Sequence, residues 1–342
     1  LSRTCKQVIN DHEGNCLVFL PGVREIKQLQ DLLESHLKES AQKFNDQSII
    51  IAPLYGNLSK QQQDKAISSP PAGKRKIVLA TNIAETSITI DGISCVIDSG
   101  LERVLEYSPA TAMNRLKTQT ISADSAEQRS GRAGRLSAGH CYRMWTEPQQ
   151  KRLRQHSIAE ILHSDLSSLV LELANWGVQD SNELHWLDLP PAGAFASAKQ
   201  LLHELAALDD EGKITSHGRA ILKLGTHPRL AHMLLSSIDL GQPYHACLIA
   251  SLLTEKDIFP VHTEKSIDIH ERLNVLLHYR PGLHCKAGPH EKSGQHVDRQ
   301  QCRQVTKTAD EFFKRLKSCV RESLSKESHD HELSGVLLAF AY

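Results

Sequence analysis

Aromatic residues make up only 5% of the 342-residue chain, so its cores must be built mostly from Leu, Ile, Val and Ala. Long apolar stretches are also missing. The longest, 246–253 and 335–342, fall far short of the roughly 18 residues a membrane-spanning helix needs. The opening residues do not read as a secretory leader. Net charge is absent as well: 40 Lys and Arg balance 40 Asp and Glu, which excludes a uniformly basic coat for nucleic acid. Paired cysteines are lacking. Eight Cys stand at positions 5, 16, 95, 141, 247, 285, 302 and 319 with no Cys-x-x-Cys pair, so free thiols in a reducing compartment, the cytoplasm, are expected. What is present, 40% apolar and 23% charged residues, suits a folded protein and excludes wholesale disorder. At about 150 residues per domain, two or three domains are expected. The chain starts at Leu1 and stops at Tyr342 inside an apolar run. Without Gly, Asn or Pro to close a helix there, it reads as a piece of a longer protein.

The neutral total hides segregated charge. Residues 101–154 carry ten basic and five acidic side chains, 158–212 one and ten, and 270–327 twelve and seven. Such sign changes mark module boundaries. In the first module, apolar runs at 16–20, 48–54, 76–80 and 95–98 alternate with helical patterns, Ile26, Leu29, Leu33 and Leu37 among them. Apolar strands buried on both faces and separated by helices imply a parallel sheet. Beyond about 156, strands become scarce. Ile161, Leu162, Leu166, Leu169, Val170 and Leu173 fall on one helical face ending at Gly177. A second helix carries Leu201, Leu202, Leu205 and Leu208, and an extended wing at 213–216 precedes a third at 218–224. Helices are predicted over 229–239, 243–253, 268–279 and about 297–325, with a Gly-, Pro- and His-rich loop at 281–296.

Two stretches carry chemistry. Gln128-Arg-Ser-Gly-Arg-Ala-Gly-Arg135 sets three arginines three apart, near one face if helical. Its glycines admit another backbone or a phosphate chain, and guanidinium forks pair with phosphate oxygens. The bland alternative is a solvated basic helix or an RNA tether. Ala80-Thr-Asn-Ile-Ala-Glu-Thr-Ser-Ile-Thr-Ile-Asp-Gly92 starts where a buried strand ends. It reads equally as a phosphate site at the start of a helix or as a simple N-cap by Thr81 or Asn82.

Together with Leu17-Val-Phe-Leu-Pro-Gly22, these stretches resemble motifs IV, V and VI of the DEAH-box RNA helicases of superfamily 2, in order and spacing. Trp176-Gly177, 186–191 and 224–230 resemble the continuation of that family, in wording nearest its bacterial HrpB branch. The likeness covers roughly 15–255. It implies a second RecA-like α/β domain with a parallel sheet over 1–155, a winged helix over 156–226, and a partial helix bundle over 227–342. By that resemblance, Gln128, Arg132 and Arg135 reach the phosphates of ATP, with the two arginines as candidate fingers, and Asp91 meets the ribose. Thr81 and Asn82 grip single-stranded RNA, Ser87 couples the two sites, and 102–121 form a strand-separating β-hairpin. Ile67 falls where many relatives stack an aromatic on adenine.

The chain contains no Gly-x4-Gly-Lys-Ser/Thr loop and no Asp-Glu-Ala-His. Those elements cradle the triphosphate and hold Mg²⁺, and the resemblance puts them on a first RecA-like domain, the expected partner together with single-stranded RNA. The 342 residues alone are therefore expected to be inactive. A non-catalytic nucleic-acid-binding module is the alternative; the intact Gln128, Arg132 and Arg135 set argues against it. His284, Cys285, His290, His296 and Cys302 cluster, but their spacing fits no common zinc pattern, so no metal site of this chain's own and no membrane association is expected.

Overall fold

The computed structural model describes residues 1–41, 49–86, 88–108, 111–134, 138–259, 267–278, 297–320, 324–326 and 330–342. They form two compact units, Leu1–Ser164 and Asp165–Tyr342.

In the first unit, α1 (Ser2–Asp11) leads into β1 (Asn15–Phe19), α2 (Val23–Ala41), β2 (Ile49–Leu54), α3 (Lys60–Ile67) and β3 (Arg75–Ala80). Then come β4 (Ile93–Asp98), β5 (Leu101–Ser108), β6 (Met113–Thr120), α4 (Ala123–Ser130), β7 (His140–Arg143) and the single turn α5 (Glu147–Gln150). Five strands pair in the order β2-β3-β1-β4-β7, parallel throughout. Alternate residues feed two cores, as the pleat requires. Val18, Leu20, Ile77, Leu79 and Ile97 meet Val8 of α1 and Ile26, Leu29 and Leu33 of α2 on one face. Leu17, Phe19, Val78, Ala80 and Val96 meet Leu54, Ala66, Ala84 and Ala133 on the other. Each such Leu or Ile contributes about 1.5–3 kcal/mol by leaving water. Ile67 is half-buried against this second core.

Local chemistry fixes the ends of these elements. Ser59 and Gln62 form a reciprocal capping box at the start of α3. At the other end of α3, the Lys76 ammonium takes the carbonyls of Lys65 at 2.8 Å, Ala66 at 3.3 Å and Ser68, meeting the negative end of the helix. Burial lowers the pKa of Lys76. The strands β5 and β6 form an antiparallel hairpin, Leu101 opposite Thr120 through Ser108 opposite Met113. Cross-strand Lys117–Glu106 (3.1 Å) and Gln119–Glu102 (3.1 Å) contacts brace it, and Arg103 anchors its base to Glu25 of α2 at 3.0 Å. Leu105, Met113 and Leu116 are exposed along it.

The second unit is helical: α6 (Ser167–Trp176), α7 (Ala192–Glu204), α8 (Ser216–Leu224), α9 (Pro228–Ser236), α10 (Pro243–Thr254), α11 (Ile269–His278), α12 (Arg299–Cys319) and α13 (Ser334–Ala341). The expected wing is one bridged turn, Leu208 opposite Ile214. Asp209 closes it by accepting from the Lys213 N–H at 2.8 Å. Two expectations change. The helix expected to include Ile161 and Leu162 begins at Ser167, because the Asp165 carboxylate caps it by accepting from Ser167 N at 2.7 Å. Residues 160–162 form a separate 3-10 turn, with Leu162 exposed. Hydrogen bonds from His227 and Ser167 outweigh burial and hold the Asp165 carboxyl well below the usual range. Gly177 ends α6 at φ +87°, a left-handed cap that favours glycine. Likewise, α12 stops at Cys319 rather than near 325. Its buried stripe runs through Cys302, Val305, Ala309, Phe312, Phe313 and Leu316.

Of the His/Cys cluster, 284–296 lies outside the described residues; Cys302 is buried on α12. Among the described residues, no group of three His, Cys, Asp or Glu could hold a metal ion. The seven cysteines among them are free, and none of the described helices is long and apolar enough to cross a membrane.

Candidate functional site

Residues 80–92 leave the carboxyl end of β3 and return to the amino end of β4. The helix expected after Ala80 is only a 3-10 turn over Asn82–Ala84. Thr86, Ile88, Thr89 and Ile90 are β-branched and resist helix. Thr81 is half-buried; its backbone N–H donates to Leu54 O at 3.2 Å, and its side chain makes no capping bond. Asn82 is exposed beside it. Asp91 is exposed at the opposite edge of the sheet, since Phe19 of β1 is level with Ala80 and Asp98 while Asn15 is level with Ile93. The chain therefore holds Thr81 with Asn82, and Asp91, at two ends of one layer. Ser87 lies outside the described residues.

The arginine motif is not one continuous helix. Ser122 caps α4 by accepting from Ser125 N at 3.1 Å. The helix ends at Ser130, with Gly131 as its cap and turns over 131–134. Two glycines within four residues are too poor as helix formers to carry it on. Arg129 and Arg132 therefore do not share an outward face. Arg129, 1% exposed, points inward. Its Nε donates to Glu85 at 2.9 Å, and its Nη1 to Asp98 at 3.0 Å and to Leu101 O at 3.3 Å. The guanidinium lies over the Phe19 ring, 4.9 Å from its centroid. Asp98 Oδ1 also accepts from Gly100 N at 2.9 Å. Burial pushes the Asp98 carboxyl up, against the pull of Arg129.

Arg132 is 8% exposed, and its Nη1 donates to Ile88 O at 2.9 Å. It borders a small apolar pocket with Leu17, Ala84, Ile88, Ile90 and Ile93. Gln128 is exposed at the last turn of α4. Arg135 lies outside the described residues. A Cβ on Gly134 would meet nothing within 4 Å, and one on Gly131 only ordinary contacts at 3.5 Å. Internal packing among the described residues therefore requires neither glycine. Gly139 differs: a Cβ there would lie 2.3 Å from Ala133 O, so its bare backbone lets the end of the motif lie against the chain entering β7.

Sequence reasoning missed Glu85, Asp98, Asn15 and Lys76, and it gave Arg129 no inward role. A carboxylate closing the buried strand Cys95-Val-Ile-Asp98 was the available signal, because a buried charge needs a partner.

Residues 1–137 match the model of the helicase conserved C-terminal domain. Over 249 residues the chain is 43% identical to the ATP-dependent RNA helicase HrpB of Escherichia coli, covering 73% of this chain and 30% of that protein. It is 36% identical over 258 residues to the pre-mRNA-splicing factor ATP-dependent RNA helicase prp22 of Schizosaccharomyces pombe, covering 75% of this chain and 22% of that protein. Two crystal structures of Escherichia coli HrpB, described as a DExH-box NTPase and as a DEAH/RHA helicase, superpose with TM-scores of 0.74 and 0.78 at 36% identity. Each covers 99% of this chain, which spans 36% and 38% of theirs. Residues 1–137 thus carry a helicase conserved C-terminal domain, and the chain is similar to part of HrpB, a DEAH/RHA helicase.

Proposed function

We propose that the chain is the C-terminal part of an ATP-dependent RNA helicase that couples ATP hydrolysis to movement along single-stranded RNA. The observation that carries this reading is the double tie between its two motifs. Arg129 binds Glu85, and Arg132 binds Ile88 O. Residues 80–92 and 128–134 are thereby joined into one block, so a displacement at one is felt at the other.

The residues fit part of a nucleoside triphosphate site. An exposed carboxylate, Asp91, with Ser69 Oγ 3.5 Å away, suits ribose hydroxyls. Gln128, Arg132 and Arg135 suit phosphate oxygens, and the uncrowded Gly134 leaves room for a phosphate chain. The described residues do not fit Mg²⁺, whose ligands are assigned to a first RecA-like domain, the partner across the nucleotide. ATP would supply the free energy of phosphoryl transfer. This chain would supply charge for the phosphates through the arginine motif and backbone grip on RNA through Thr81 and Asn82. We assign 1–155 to the second RecA-like domain, 156–226 to a winged helix with the Leu208–Ile214 turn as its wing, and 227–342 to part of a helix bundle. The free thiols support a cytoplasmic setting.

The test is made in the complete protein. Thr81→Ala with Asn82→Ala is expected to weaken RNA binding, and RNA stimulation of turnover, roughly tenfold, the loss of one or two hydrogen bonds to a charged group. Basal ATP affinity is expected to stay within twofold, because phosphate contacts of this kind position the strand. A loss of ATP affinity with RNA affinity intact would reverse the two assignments.

A further inference from the structure

Asn15 opens β1 and is 8% exposed. The ladder between β1 and β3 starts one residue later, at Cys16 opposite Ile77. The Lys76 N–H therefore lies just past it, and Asn15 Oδ1 accepts from that N–H at 2.9 Å. The other end of the same amide, Nδ2, donates to Asp91 O at 3.2 Å. The Asn15 backbone N–H donates to Gly92 O at 3.2 Å. One side chain thus holds β3 with its acceptor and the 91–92 turn with its donor. Gly92 sits at φ +70°, and a Cβ there would stand 3.0 Å from Asn15 Nδ2, so the turn is shaped around this amide. Held from its main chain, Asp91 keeps its carboxylate exposed, 3.5 Å from Ser69 Oγ. Ser69 follows Ser68, whose carbonyl the Lys76 ammonium takes together with those of Lys65 and Ala66 at the end of α3. Asn15, Lys76, Ser69 and Asp91 form one connected group at the amino edge of the sheet.

We propose that Asn15 is a positioning residue for nucleotide selectivity: by fixing the Asp91 main chain, it aims the Asp91 carboxylate at the ribose hydroxyls of the bound nucleotide. The proposal rests on the reading that Asp91 meets the ribose. An asparagine is required because the two neighbours are of opposite kinds, one N–H and one carbonyl, and only an amide of this length serves both. An aspartate of the same shape keeps the acceptor for Lys76 and loses the donor for Asp91.

The experiment compares ATP with 2′-deoxy-ATP and 3′-deoxy-ATP as substrates of the complete helicase. The parent enzyme is expected to prefer ATP over at least one deoxy analogue by about tenfold in kcat/KM, the worth of one hydrogen bond to a carboxylate. Asp91→Ala is expected to erase that preference. Asn15→Asp is expected to reduce it to about threefold or less by raising KM for ATP, with kcat within twofold of the parent. Asn15→Gln, whose amide overshoots both partners, is measured beside it and takes its place if the aspartate variant does not fold. A purely structural Asn15 would change thermal stability and leave the ribose preference untouched. If Asp91→Ala loses the preference while the Asn15 variants keep it, the proposal for Asn15 falls and the ribose reading stands. If the parent makes no distinction, or Asp91→Ala retains one, the ribose reading itself falls and takes this proposal with it.

Discussion

Arg129→Met is expected to lower the melting temperature of the first unit by roughly 10 °C. The methionine refills much of the volume over Phe19 but leaves Asp98, fully buried, and Glu85 without the guanidinium that serves both. Removing one partner of a buried ion pair costs about 3–5 kcal/mol, because the remaining charge is stranded. In a unit of this size each kcal/mol moves the midpoint by roughly 2–4 °C. Burial already pushes the Asp98 carboxyl up, so without Arg129 it should take up a proton. Asp98→Asn in the same chain should therefore restore part of the loss, since an amide needs no counter-charge. Arg129→Lys should fall between, because one ammonium cannot span Glu85, Asp98 and the Leu101 carbonyl as a planar fork does. Scanning calorimetry of the four proteins decides the matter. A melting point within about 2 °C of the parent for Arg129→Met would show that the buried pair does not hold this unit together.

Arg129 also marks the limit of what could be read from the chain. The parallel sheet was legible because runs such as Cys16–Leu20 and Lys76–Ala80 are apolar on both faces, a pattern that only a strand covered on both sides satisfies. The Gly177 stop was legible because its chemistry is local. The hairpin was expected from resemblance alone; its β6 strand, Met113-Asn-Arg-Leu-Lys-Thr-Gln-Thr120, carries no clean alternation. The direction of Arg129 was not legible, because its neighbours at +3 and +6 are also arginines and spacing cannot tell an inward side chain from an outward one. Asp98 and Glu85 decide it, and they lie 31 and 44 residues away in sequence. Asn15 and Lys76 escaped notice for the same reason: each looks like an ordinary polar residue opening a strand until the ladder register places it beside the 91–92 turn or the end of α3.

Arg135 and Arg132, treated as a pair in the motif, are expected to respond differently to the same substitution in the complete helicase. A finger acts on charge that grows on the phosphoryl group in transit, so its removal lowers kcat more than it raises KM for ATP. Lysine keeps the charge and loses the two-pronged geometry. Loss of such a finger costs on the order of 10³-fold or more in GTPases. With a second arginine nearby, Arg135→Lys is expected to cost roughly 10²-fold in kcat, leaving the melting temperature and nucleotide-free RNA affinity near those of the parent. Arg132 carries a second duty, since its Nη1 binds Ile88 O and its stem borders the pocket under Ile88 and Ile90. Arg132→Lys should therefore lower kcat and also loosen the tie to residues 80–92. That loosening should appear as a lower melting temperature and a weaker stimulation of turnover by RNA, signs that Arg135→Lys will not show. The decisive measurement is kcat with and without RNA beside a thermal melt on each preparation. If Arg135→Lys keeps normal kcat, Arg135 leaves the list of phosphate-contacting groups. If Arg132→Lys slows turnover with an unchanged melt and unchanged RNA stimulation, its bond to Ile88 plays no part in joining the two motifs.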